Sequence, residues 1–133
     1  MSESDPDRVA ADHTRQDVVV AHHVAGGTTV VSLHGEIDTL TAPTLSERLD
    51  ALTAGPRPDL VLDLRTVTFI DCAGLGVLCR TRNRTLARRG RLRLVTESTV
   101  FRRILRVTGL SDVFELHARL PHPLPGPQAA AAQ

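Results

Sequence analysis

Between Val18 and Leu120 the chain alternates short runs rich in β-branched residues with segments whose apolar residues recur at helical spacing, and Gly or Pro marks most of the switches. Strands joined through helices pair in parallel, and their crossovers are right-handed, so this alternation predicts an α/β domain with helices laid against one sheet. Val18–Val24 and Thr28–Ile37 flank Ala25-Gly26-Gly27, a turn that tolerates positive φ and predicts an N-terminal hairpin. The period then changes, because Thr41 is placed to cap a helix that admits Pro43 in its first turn and aligns Leu45, Leu49 and Leu52 before Gly55. Leu60–Leu64 is apolar on both faces, the pattern of a central strand covered on each side.

After Val67, Phe69 and Ile70, the run Asp71-Cys72-Ala73-Gly74-Leu75-Gly76 leads into a helix expected to reach about Arg89 and to stop at Gly90. At about 100° per residue, Leu75, Leu78, Cys79, Arg82 and Leu86 make the expected inward stripe, and Val77, Arg80, Arg84 and Arg88 the outward one. Arg91–Val95 reads as a strand, Ser98 as the cap of a helix with Phe101, Ile104 and Leu105 inward and Gly109 at its end, and Val113–Leu116 as a last strand. The predicted order is ββαβαβαβ, a mixed sheet made of the hairpin and parallel strands.

A chain of 133 residues with 41% hydrophobic content suits one domain that needs no disulfide or metal. Residues 1–17 hold five acids and little to bury, and residues 121–133 are Pro- and Ala-rich, so both read as flexible tails around a domain at 18–120. The acidic N-terminus does not look like a secretion signal, and no run approaches the ~18 apolar residues of a membrane span. A cytoplasmic protein without membrane attachment is expected, in which Cys72 and Cys79 stay reduced.

Arginine supplies all 16 positive charges, so Schiff-base and P-loop lysine chemistry are excluded. With 2% aromatic residues the chain lacks base-stacking platforms, and a net charge of +1 argues against a general nucleic-acid binder. The two cysteines form no CxxC, and the adjacent His22 and His23 point to opposite faces of a strand, so no metal site or other cofactor is expected. Arg80 to Arg106 spans ten arginines and one acid, Glu97: a solvated helix face, or an electrostatic dock for an acidic partner.

Asp71-Cys72-Ala73-Gly74 opens a helix where unpaired N–H groups converge, and the simplest reading makes Asp71 its N-cap. Asp38 and Thr41 can likewise serve only to organise the turn into the first helix. The run Phe69-Ile70-Asp71-Cys72-Ala73-Gly74-Leu75-Gly76, with Gly35-Glu36-Ile37-Asp38 upstream and Thr108-Gly109-Leu110 downstream, resembles the STAS family of bacterial anti-sigma factor antagonists across nearly all of Val18–Leu116.

That resemblance implies partner switching, not catalysis. Family members bind an anti-sigma factor with a histidine-kinase-type ATPase fold and so free a sigma factor for transcription. The same partner commonly phosphorylates the second hydroxyl of an Asp-Ser-Ser-Gly-Leu motif, which ends the binding. In this chain that position is Ala73, preceded by Cys72, so no phosphate can be added at the usual place. The expected contact surface comprises Asp38, Leu40, Asp71, Cys72 and Ala73, continuing through Gly74, Leu75, Val77 and Arg80. Val77 is its expected outward apolar residue, and the glycines are expected to admit the partner's backbone.

A different reading makes Cys72 a reactive thiol in a redox or signalling module, since a helix N-terminus favours thiolate. STAS domains also serve as accessory subunits of stress-signalling and lipid transport complexes. A monomer or weak dimer is compatible with all of these readings.

Overall fold

The computed structural model describes residues 18–121; the expected N-terminal tail, and all of the expected C-terminal tail except Pro121, lie outside the described residues. Strands β1 (Val18–Ala25) and β2 (Thr28–Ile37) form the expected hairpin, and Gly26 and Gly27 both take positive φ in its turn. Helix α1 (Ala42–Leu52) leads to β3 (Asp59–Ile70), which joins the Leu60–Leu64 run and the Val67–Ile70 run in one twelve-residue strand. Helix α2 (Cys72–Ala87), β4 (Arg91–Val95), α3 (Thr99–Val107) and the short β5 (Glu115–His117) complete the order.

The sheet order follows the sequence, β1-β2-β3-β4-β5, with β1 antiparallel and the other pairings parallel. Successive right-handed crossovers stepping in one direction put every helix on the same face. One cluster accordingly joins Leu33, Leu62 and Leu94 of the sheet with Leu45, Leu49, Leu78 and Leu105 of the three helices. On the other face Val30, Val61 and Val95 are buried with Leu120 against them. There the buried Arg93 donates to Asp59 Oδ1 at 2.8 Å, while Thr28 donates to Asp59 Oδ2 at 2.9 Å.

The buried face of α2 differs from the expected stripe. Val77 is only 7% exposed and Leu86 is 46% exposed, the reverse of the sequence reading. Two buried threonines explain the rotation: Thr81 Oγ1 donates to Val77 O at 2.9 Å, and Thr85 Oγ1 to Thr81 O at 2.7 Å. A hydroxyl bonded back to its own helix is satisfied, so threonine can occupy a core position that a polarity count denies it.

The end of α2 also differs in mechanism. Arg89, not Gly90, takes the left-handed backbone, with φ 60°. Arg89 N–H donates to Leu86 O and Gly90 N–H to Thr85 O, a Schellman closure. Glycine is needed at 90 for space, because a Cβ there would lie 2.0 Å from Pro58 O.

Candidate docking surface

The parallel pairing of β2 and β3 runs to Ile37 opposite Ile70, so the chain leaves both strands at one end of the sheet. Asp71 N–H donates to Ile37 O at 3.2 Å, which ties the two exits together. In the first turn, Asp38 Oδ1 accepts from the N–H groups of Leu40 and Thr41, each at 3.0 Å. Thr41 does not cap α1 through its side chain. Its hydroxyl accepts from Asp38 N at 2.9 Å and donates to Glu36 O at 2.8 Å, locking the turn from inside. Asp38 and Thr41 thus organise the turn, and this geometry presents Leu40 at 62% exposure.

In the second turn, Asp71 Oδ1 accepts from Gly74 N at 3.0 Å, the N-cap bond the sequence predicts. Gly74 is buried, and a Cβ on it would meet Ile37 O at 2.6 Å and Ile70 Cγ1 at 2.5 Å. It therefore lets α2 approach the ends of its own strands, and the expected role in admitting a partner's backbone does not apply. Leu75 is buried, as its place on the inward stripe predicts, and Val77 is buried against expectation, so neither reaches the surface and both leave the expected contact set. A helix start packed on two strand ends must turn the side chains at these positions inward.

Leu40 and Cys72 are fully presented at this end, with Asp38, Asp71 and Ala73 half-buried between them. Phe69 is 51% exposed near the end of β3, two residues before Asp71. The pairing of β2 with β3 shifts register between Gly35 and Glu36, and Thr68 has no partner on β2. A second shift lies between Ser32 and His34, so the inward positions run Leu60, Leu62, Leu64 and then Val67 and Ile70, and Phe69 is left facing out. One signal was available in the sequence: alternation counted from Leu60, Leu62 and Leu64 sets Phe69 on the face opposite Ile70.

Arg80 is exposed but engaged. Its Nε and Nη2 grip Asp50 Oδ1 and Oδ2 of α1 at 3.1 and 2.8 Å. Arg84 donates to Thr53 Oγ1 and to Asp50 O, and Arg88 to Ala54 O. The outward arginines of α2 therefore clamp it to α1; they do not form an open dock. The Arg80 guanidinium holds the Asp50 carboxyl below its ordinary range, with desolvation acting against it and Arg84 adding to the effect.

Elsewhere, Arg91 and, more weakly, His117 lower the Glu115 carboxyl to about 2, against partial desolvation. Among the described residues no group of three metal-ligating side chains occurs, and no helix is long and apolar enough to cross a membrane.

A sequence profile of the STAS domain matches residues 19–121. The chain belongs to the STAS domain family. It is 34% identical over 109 residues to the anti-sigma-F factor antagonist RsfB of Mycobacterium tuberculosis, covering 82% of this chain and 87% of that one. The anti-sigma-B factor antagonist of Bacillus subtilis is 36% identical over 89 residues, covering 67% and 81%. Among solved structures, an anti-sigma factor antagonist from Mycobacterium paratuberculosis superposes with a TM-score of 0.70 at 34% identity, covering 77% of this chain and 87% of its own. The STAS fold accounts for the hairpin, the parallel strands and the single helical layer described above.

Proposed function

We propose that this STAS domain antagonises an anti-sigma factor by binding it, through the end of the sheet where β2 and β3 hand over to their helices. The reading is carried by the likeness to an anti-sigma-F factor antagonist over most of both chains. The geometry supports it in a specific way. Two turns locked by their own carboxylates hold Leu40 and Cys72 outward beside the half-buried Ala73, with Asp38 and Asp71 at the rim. Preorganised turns lose little entropy on binding.

The partner is an anti-sigma factor of the histidine-kinase-type ATPase fold, and its capture frees a sigma factor. With Ala73 at the usual phosphorylation position, the chain stays competent to bind and is governed by its own abundance or by its partner. Binding is the whole activity, and no catalytic step is assigned to this end.

The test is capture of such an anti-sigma factor by the full chain, with and without ATP. Capture unaffected by ATP is expected, together with loss on Leu40→Asp at an unchanged melting temperature. A phosphate on Thr39, Thr41 or Thr68 that abolishes capture would overturn the unswitched reading. The exposed Cys72 supports the alternative thiol function, which requires alkylation far faster than that of Cys79 and binding that changes on oxidation.

A further inference from the structure

Strand β3 is longer than the strand beside it. β4 pairs only with Asp59–Asp63, whereas β3 continues to Ile70 with β2 on its other side. Beyond Val95 the chain turns away: Thr96 N–H donates to His117 O of β5, and Ser98 N–H to Thr96 Oγ1, so the connection moves off into α3. Among the described residues no backbone hydrogen bond joins Leu64–Ile70 to the chain after β4. Arg65, Thr66, Thr68 and Phe69 on this stretch are exposed. A strand with one flank paired and the other free presents N–H and C=O groups that a further strand can take up.

The free flank faces a groove of about 380 Å³. Leu64, Val67 and Ile70 form its strand wall, and Val100, Phe101 and Ile104 of α3 form the helix wall. An extended backbone placed about 4.8 Å from the unpaired flank would take up its N–H and C=O groups, which a second helix could not do. Helix α3 carries Arg102, Arg103 and Arg106 and no acid. Arg103 follows Val100 by one turn, and with Arg102 and Arg106 it outnumbers Glu97, which lies between the groove residues Thr96 and Ser98, so the balance favours negative charge in whatever lies there.

We infer that the Leu64–Ile70 edge of β3 and α3 together form a strand-addition site for an extended, β-branched segment flanked by acidic residues, contributed by the protein partner. The inference rests on the docking reading for the partner's identity and for nothing else. The slot runs directly into Ile70-Asp71, so one partner can cover the turn surface and feed a strand beside β3. Main-chain hydrogen bonds give such a site its affinity, and the apolar walls select alternate side chains.

The probe is a fluorescein-labelled peptide, Glu-Val-Thr-Val-Val-Thr-Glu, titrated into the full chain by anisotropy, with amide exchange followed in parallel. Saturable binding is expected, with exchange slowed within Leu64–Ile70. A version N-methylated at alternate residues keeps its side chains, loses its strand hydrogen bonds, and is expected to bind at least tenfold more weakly. Thr68→Pro, at the bulge without a β2 partner, is expected to cause a similar loss, and Val100→Glu and Arg103→Glu each a threefold loss or more. The latter two keep the test decisive if the proline disturbs the strand.

Absence of saturable binding, equal binding of the N-methylated peptide, or protection confined to another region overturns the inference. The two readings fail separately. Anti-sigma factor capture that persists in Val100→Glu and Arg103→Glu, with no peptide bound by the intact chain, removes strand addition alone; peptide binding without capture removes the docking reading alone.

Discussion

Helix α2 has two flanks over the sheet. On the α1 side the seam is shut: Val77 is buried, Thr81 and Thr85 bond inward, and Arg80 and Arg84 both reach Asp50. On the α3 side Arg82 donates to Val113 O, but a groove remains farther along, between the end of β3 and α3, where β4 ends abreast of Asp63 while β3 runs on to Ile70. The helical layer is thus closed where side chains clamp two helices together, and a groove is left where the neighbouring strand stops short. The sealed flank sets stability, and the open flank is free to carry binding.

The largest expected effect breaks the sealed side. Leu78→Ala, at a fully buried position, is expected to cost about 2–5 kcal/mol in urea unfolding, whereas Val107→Ala, 80% exposed on α3, should stay within about 0.5 kcal/mol. Equal losses at the two sites would erase the contrast between the shared core and the outer face of α3. Next comes the helix start, where Gly74→Ala forces a methyl against Ile37 and Ile70 and should cost about 1–3 kcal/mol. Two residues on, nothing lies within 4 Å of an added Cβ, so Gly76→Ala should stabilise by about 0.5–1 kcal/mol through helix propensity.

A smaller effect is expected from the clamp. Arg84→Ala removes donors to Thr53 Oγ1 and Asp50 O and should cost about 1–2 kcal/mol, while Arg103→Ala should leave the melting temperature unchanged. The smallest effect sharpens the comparison at the outer strand. Glu115 titrates near 2 in the folded chain against an ordinary 4.5, chiefly because Arg91 pairs with it. A lowered carboxylate contributes stability that is complete above its unfolded value and is lost as pH falls through the folded one. Thermal melts are expected to be flat above about pH 5 in this contribution and to fall between about 4.5 and 2, with Glu115→Gln removing part of that fall.

The chain order of strands and helices, the hairpin turn and the Asp71 cap are legible in the residues, because each depends on local chemistry: paired glycines, a short acidic side chain before a helix, β-branched alternation. What was not legible depends on pairings between distant segments. Val77 and Leu86 exchange places because Thr81 and Thr85 satisfy their hydroxyls within the helix, and a polarity pattern scores threonine as wet. Val67 faces in, out of phase with Leu60, Leu62 and Leu64, because of a register shift set by β2, some thirty residues upstream. The outward arginines read as open charge until Asp50, on another helix, is brought beneath them. The candidate surface was found by its motif, but which of its members point outward was decided by packing.

The stitch between the loops preceding β3 and β4 has a practical consequence. Arg57 N–H donates to Arg88 O, Arg91 N–H donates to Pro58 O, and Gly90 closes against Pro58, all at the pole where β3 begins. Twelve extended residues separate that pole from Asp71, about 40 Å along the strand. A dye or surface tether attached at exposed Ala54 or Pro56 would thus be anchored on firm ground and well clear of any visitor at the far end, which makes this the natural handle for immobilising the protein in binding experiments.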